Sequence, residues 1–217
     1  MRRKPQKQDD AFSAYEREAY EHFKKADPVL HRAALPFRGK YAMRPDPKKR
    51  NDQLFASLAA SVVGQQLSMR AADTIWERVK TACGGKVTAH TISATPFPKL
   101  RKAGLSAAKV KTLKSLANAV LKENLNLLSL RTLTYEEAAA RLTQIWGIGP
   151  WTVEMFLIFA LGNRDIFSPG DLALARATER LYGLPKNTPR AELSRIAEQW
   201  SPHRSFACLV LWKLYEG

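Results

Sequence analysis

From Asp52 onward, apolar side chains recur at three- and four-residue intervals. Leu54, Leu58 and Val62 fall on one helical face, and Val110, Leu113, Ala117 and Val120 fall on another. This is the spacing of helices that each bury one stripe. The same pattern predicts helices over 71–82, 135–144, 172–182, 191–200 and 206–215. The run 152–161 is different: Val153, Met155, Phe156, Leu157, Ile158 and Phe159 make it apolar nearly all round, which predicts a helix enclosed by the others. An earlier helix over 11–25 should stop before Asp27-Pro28, since proline disfavours helical backbone in the residue before it. Residues 1–10 are polar and charged and are expected to fray. No segment alternates with period two, so the fold class is all-α.

Between Leu35 and Asn51 the pattern breaks. Pro36, Gly39, Pro45 and Pro47 stand among Arg38, Lys40, Arg44 and Lys48-Lys49-Arg50, which reads as a basic loop or linker. Either it is a solvated connection or it touches phosphate directly. The expected organisation is therefore 1–51, an amino-terminal helix and basic linker packing with the carboxy-terminal helices; 52–170, a central helical domain; and 171–217, carboxy-terminal helices completing a second lobe.

Composition narrows the partners. Lys and Arg number 35 against 20 acids in 217 residues, a formal charge of +15, which suits a polyanion held through phosphate contacts. The two cysteines, Cys83 and Cys208, lie far apart and supply neither a zinc site nor the four thiolates of an iron–sulfur cluster. His22, His31, His90 and His203 show no metal-ligand or triad spacing. No apolar run reaches the roughly 20 residues of a membrane span. Arg2-Arg3-Lys4 has no apolar segment behind it, so it is no secretory signal, and it is too short for a nuclear one.

The chemistry concentrates in Ile145-Trp146-Gly147-Ile148-Gly149-Pro150-Trp151-Thr152. Two glycines around one apolar residue permit a sharp turn and close backbone approach. Pro150 suits a first helical turn, where its missing N–H has no cost. Free amides and the positive helix end would face outward together as an anion site, with Ile148 anchoring the turn inward. Helix 135–144 before it completes a helix-hairpin-helix, which positions a duplex without reading its sequence. Asp171 follows in Phe167-Ser168-Pro169-Gly170-Asp171; taken alone, it is also a natural N-cap for Leu172-Ala173-Leu174.

These motifs resemble the helix-hairpin-helix superfamily of DNA base-excision glycosylases. Within it they are most similar to the alkylation-repair branch of 3-methyladenine DNA glycosylase II, in the compact form without an amino-terminal β domain. The resemblance covers about residues 52–217. It rests on Val63-Gly64-Gln65-Gln66-Leu67-Ser68, Ala103-Gly104-Leu105-Ser106, the 145–152 hairpin, Phe167 to Asp171 and the closing Trp200 to Trp212. It implies two helical lobes with the active-site cleft between them, and Asp171 as the catalytic carboxylate. It gives the base pocket to Trp151, Trp212 and Met155, with Trp146 and Trp200 as weaker candidates. DNA contacts fall to Gln65, Gln66, Leu67, Ser68, Gly147, Ile148, Gly149 and Thr152. Leu67 or Gln66 would be the plug that fills the gap left by a flipped base, although Leu67 could equally be core. The carbonyls of Thr143, Ile145 and Ile148 are candidates to hold a structural Na+ or K+; no cofactor is required.

Members of the superfamily that also cut the strand carry a Schiff-base lysine just after the hairpin, and here that position is Trp151. The implied reaction is monofunctional hydrolysis of the N-glycosidic bond of alkylated bases in double-stranded DNA, by a monomer acting in a prokaryotic nucleoid or a eukaryotic nucleus. Two positions depart from relatives: Met155 stands where some have tyrosine, and Gly170 where some have an acid. The alternatives are a glycosylase for oxidised or mismatched bases, and a helix-hairpin-helix module that binds DNA without catalysis.

Overall fold

The computed structural model describes residues 6–39 and 48–216, and among these there is no strand. Arg2-Arg3-Lys4 and, in the basic loop, Lys40, Arg44, Pro45 and Pro47 lie outside the described residues. The chain divides into two compact units, one of Met1–Pro45 with Gly162–Gly217 and the other of Asp46–Leu161. The first opens with α1 (Gln6–Ala26), α2 (Pro28–Ala34) and a 3-10 turn, Leu35–Phe37. The second holds α3 (Asn51–Gly64), α4 (Met69–Ala82), α5 (Ala89–Ala94), α6 (Phe97–Lys102), α7 (Ala107–Lys122), a 3-10 turn (Leu127–Thr132), α8 (Tyr135–Leu142) and α9 (Pro150–Phe156). The first unit resumes with α10 (Leu172–Tyr182), α11 (Arg190–Glu198) and α12 (Arg204–Glu216).

In the second unit α3 is central. Leu54, Phe55, Leu58, Ala59, Val62 and Val63 are fully enclosed, and α3 packs against α4, α7 and α9. The apolar run after the hairpin is buried as expected, with Phe156 and Ile158 at zero exposure, but it is not one α-helix. After Phe156 it widens into a π turn, Leu157–Leu161, and Phe159 emerges 46% exposed. α5 and α6 escape the sequence pattern because six residues are too few to show a period. Helix 135–144 stops at Leu142, and α1 begins ahead of residue 11.

The first unit is organised around buried polarity as well as rings. Asp27 caps α2 by accepting from the amides of Val29 and Leu30. Its other oxygen accepts from Trp200 Nε1 at 2.7 Å and from the Tyr182 hydroxyl. Trp200 is fully buried, so its place is structural, and burial first and then the Asp27 charge drive the Tyr182 hydroxyl far up from its ordinary value. Phe23 stacks with Phe206 of α12, and α12 packs on α10 and α2.

Asp165 closes the entry to α12. Arg204 forks onto it, Nε to Oδ1 at 2.7 Å and Nη2 to Oδ2 at 3.0 Å, and Ser201 Oγ donates at 2.8 Å. Burial works to raise the carboxyl, but the hydrogen bonds from Arg204 and Ser201 outweigh it and hold it below the usual aspartate range. A depressed acid stabilises the fold above its unfolded value, ~3.9, and that contribution disappears as pH falls through the folded value. Asp165→Asn is therefore expected to lose roughly 1 kcal/mol at neutral pH. The difference from wild type should narrow steadily as urea melts are taken to pH values below the ordinary aspartate range.

Candidate functional site

Ile145 to Thr152 forms a tight turn between α8 and α9. Ile148 lies 4% exposed, and its amide donates to the Ile145 carbonyl at 3.0 Å, so the residue anchors the turn from inside. Only the first glycine needs a left-handed backbone: Gly147 has φ +82, and an added Cβ would lie 2.0 Å from Thr112 Oγ1. Rotating the Thr112 side chain would not clear the space, because its Cβ, which such a rotation leaves in place, lies 3.0 Å from the same point. Gly149 has φ −102 and serves as N-cap of α9. A Cβ on it would meet no atom of the protein within 4 Å, so the fold itself does not demand glycine there.

The two arms of the hairpin are tied together at their far ends. Thr134 caps α8 in a reciprocal box with Glu137. The hydroxyl of Tyr135 donates to Glu154 Oε1 of α9 at 3.0 Å. Glu154 is 5% exposed. Burial, and then the Glu154 charge and hydrogen bond, push the Tyr135 hydroxyl up to about 12.

The loop after α3 is fastened to this hairpin. Gln65 Nε2 donates to Thr152 Oγ1 at 2.8 Å and to the Gly147 carbonyl at 3.3 Å. Thr152 is 1% exposed. The side chains of Gln65 and Thr152 therefore face each other, and the pair positions the loop against the hairpin. The Ile148 side chain is enclosed and its amide is engaged by the Ile145 carbonyl. Lys109, unremarked in the sequence, completes the fastening: its ammonium donates to the carbonyls of Val63 and Gln65 at 2.8 and 2.7 Å. Burial lowers its pKa from the ordinary lysine value. The signal for it was the Ser106 N-cap, which places Lys109 in the first turn of α7.

With both ends held, the middle of the loop is presented outward. Gln66, at φ +57, is exposed and left-handed. Leu67 is 37% and Met69 76% exposed, so Leu67 is not core. Ser68 is exposed and caps α4 through its hydroxyl. In the same unit Trp151 is partly exposed and Met155 is 7% exposed. Backbone carbonyls of the kind proposed for an alkali cation occur at Thr143, Ile145 and Ile148; that of Ile145 already accepts one hydrogen bond, leaving an oxygen lone pair for an ion to share. Among the described residues no cluster of three His, Cys, Asp or Glu could hold a metal.

In the first unit, the packing of α10 on α12 brings Asp171 and Trp212 together. Asp171 Oδ1 accepts from the Leu174 amide at 3.0 Å and from Trp212 Nε1 at 3.2 Å. The carboxylate is thus the N-cap of α10 and is aimed by an indole, and it keeps partial exposure. Both sequence readings of Asp171 are compatible with this geometry.

A glycine turn clasped between two cross-tied helices is a helix-hairpin-helix. The family model described as HhH-GPD superfamily base excision DNA repair protein matches residues 59–203, and the chain belongs to that superfamily. DNA-3-methyladenine glycosylase 1 of Schizosaccharomyces pombe is 35% identical over 178 residues, which span 78% of this chain and 76% of that protein. The structure of an S. pombe 3-methyladenine DNA glycosylase in complex with abasic DNA superposes with a TM-score of 0.78 at 32% identity, covering 90% of this chain and 95% of the other. A DNA-3-methyladenine glycosidase from Bacillus halodurans gives a TM-score of 0.70 at 32% identity over 87% and 85% of the two chains.

Three substitutions test the hairpin's construction. Gly147→Ala should destabilise the protein by about 2–4 kcal/mol in chemical denaturation, from the clash with Thr112 and the left-handed backbone together, while Gly149→Ala should leave the midpoint within about 0.5 kcal/mol. Tyr135→Phe takes one hydrogen bond from the buried Glu154 and should cost roughly 1–2 kcal/mol in the same assay.

Proposed function

We infer that this protein is a monofunctional DNA-3-methyladenine glycosylase of base-excision repair, releasing alkylated bases from double-stranded DNA and leaving an abasic site. The observation that carries the reading is the carboxylate of Asp171, fixed by the Leu174 amide and the Trp212 indole in a chain of this superfamily. A target base must leave the stack before its glycosidic bond is reachable, at a cost of a few kcal/mol. The exposed Gln66-Leu67-Ser68 segment supports a plug role, with Leu67 as the apolar wedge. Gly149 supports close approach of a phosphate, since among the described residues nothing beyond its chain neighbours lies within 4 Å of the space beside it. The same reading gives Trp151, Met155 and Trp212 to the extrahelical base, through attraction between a cationic adduct and aromatic faces.

In the reaction, the bond from C1′ to the base nitrogen breaks and its electron pair leaves with the base. A cationic adduct departs neutral, so no strong general acid is required. Positive charge develops at C1′, where the Asp171 carboxylate stabilises it and orients the incoming water, whose proton passes to solvent. Trp151 stands in place of an amine nucleophile, so the strand stays intact. No cofactor takes part. The carbonyls of Thr143, Ile145 and Ile148 would hold Na+ or K+ as a structural ion at the hairpin. An enzyme of this kind works where the chromosome is, in a nucleoid or a nucleus, and a single copy suffices.

Asp171→Asn isolates the chemistry. Asparagine still caps α10 and still accepts from Trp212, so stability should hold while release of 3-methyladenine from a defined duplex falls by at least about 100-fold. Base release at the wild-type rate would refute the assignment. Gly149→Ala, neutral for stability, should weaken binding to an abasic-site duplex roughly ten-fold, read by fluorescence anisotropy.

A further inference from the structure

A groove of about 790 Å³ lies in the second unit, against the start of the hairpin at Ile145-Trp146 but clear of the loop after α3 and of Gly147 to Thr152. α7, the 123–126 turn, α8 and Ile145-Trp146 form its walls. Its charge is mostly positive, with Lys111, Lys114 and Arg141 against the single acid Glu123. Two of these groups are already committed. Lys114 donates to the carbonyls of Ile92, Ser93 and Thr95 at 2.7, 2.8 and 2.6 Å, and Glu123 is held by Asn118 Nδ2 at 2.6 Å. That leaves Lys111 and Arg141 as the exposed cations.

Trp146 is the unusual component. A tryptophan in an all-helical protein is ordinarily enclosed, as Trp200 is, yet Trp146 is 45% exposed. The ammonium of Lys111 sits 4.2 Å from its ring centroid, which fixes a positive charge against one face of a π surface. The exposed amides of Asn124 and Gln144 stand on the same groove and can each donate and accept.

We propose that this groove binds a nucleotide of single-stranded nucleic acid, with the base on Trp146 and its edge, and the phosphates on Lys111 and Arg141. Phosphate alone would call for cations only. An aromatic surface and two amides add what a base needs, a stacking face and hydrogen-bonding partners. In a duplex those faces and edges are hidden by stacking and pairing, so the matching ligand is an unpaired strand. The groove shares Ile145 and Trp146 with the approach to the hairpin. A duplex seated on Gly149 that ends or opens nearby could therefore feed its single strand into it.

The test is direct binding at low salt, independent of base release, so it stands or falls separately from the glycosylase reading. A fluorescein-labelled single strand of about 12 nucleotides, a blunt duplex of the same sequence and free dAMP are the three probes. Single-strand affinity should fall roughly ten-fold in Trp146→Ala and in Arg141→Glu, with recovery in Trp146→Phe, which keeps a stacking face. The charge-matched Lys102→Glu, on α6, should fall much less, and Arg141→Glu should leave base release from the middle of a blunt duplex unchanged. Equal losses in Arg141→Glu and Lys102→Glu would overturn the proposal, because only general electrostatics would remain. So would Trp146→Ala binding the strand like wild type while melting at the wild-type temperature. If dAMP binds as tightly as the strand, the ligand is a free nucleotide and the strand assignment is overturned.

Discussion

The hydrogen bond from Gln65 Nε2 to Thr152 Oγ1, 2.8 Å long, makes one body of the loop after α3 and the turn before α9. Neither segment has much regular structure to hold it. The loop is a few residues between two helices, and the turn contains two glycines. Gln65 also reaches the Gly147 carbonyl, and Lys109 grips the backbone on either side of Gly64. Three helices are thereby referred to one another through polar atoms that water cannot easily replace. The exposed Gln66-Leu67-Ser68 segment then projects from a fixed base, which is how a short loop can present an apolar side chain to solvent without collapsing onto the core.

The first unit solves a similar problem with carboxylates. Asp27 joins α2 to Tyr182 and Trp200, and Asp165 collects Ser201 and Arg204 at the start of α12. Each acid satisfies backbone or side-chain donors that would otherwise be stranded on burial. Asp171 belongs to this series by geometry, capping α10 and receiving the Trp212 indole, but it retains exposure that Asp27 lacks. One architectural habit therefore yields one enclosed anchor, Asp27, and two partly exposed carboxylates, Asp165 and Asp171.

The long helices were legible because burial enforces a period. α3 and α10 follow the spacing of their apolar residues, and Leu172–Tyr182 is recovered at both ends. The six-residue helices α5 and α6 were not legible, since packing, joined in α5 by the Thr88 cap, stabilises them and leaves no repeat. The hairpin was readable from two glycines and a proline, yet the roles of the glycines differ: Gly147 answers to Thr112, whereas Gly149 answers to no neighbour among the described residues. Gln65 and Thr152 sit in motifs whose resemblance implies DNA contact. Only the three-dimensional pairing reveals that they satisfy each other. The Ser106 cap places Lys109 in the first turn of α7, but a lysine on a basic chain carries no mark of the carbonyls it reaches.

The contact between Thr112 and Gly147 has a historical consequence. Both the hydroxyl and the methyl of Thr112 crowd the place where a Cβ at position 147 would lie, and the hydroxyl is further held by the Ala108 carbonyl at 3.0 Å. Any lineage that acquired a side chain at 147 would have had to shrink residue 112 first, since the reverse order passes through a clashing intermediate. α7 and the hairpin are thus linked in the sequence of changes open to them. Because α7 also carries Lys109 and Lys111, a drift that loosened that contact would disturb the loop and the groove together.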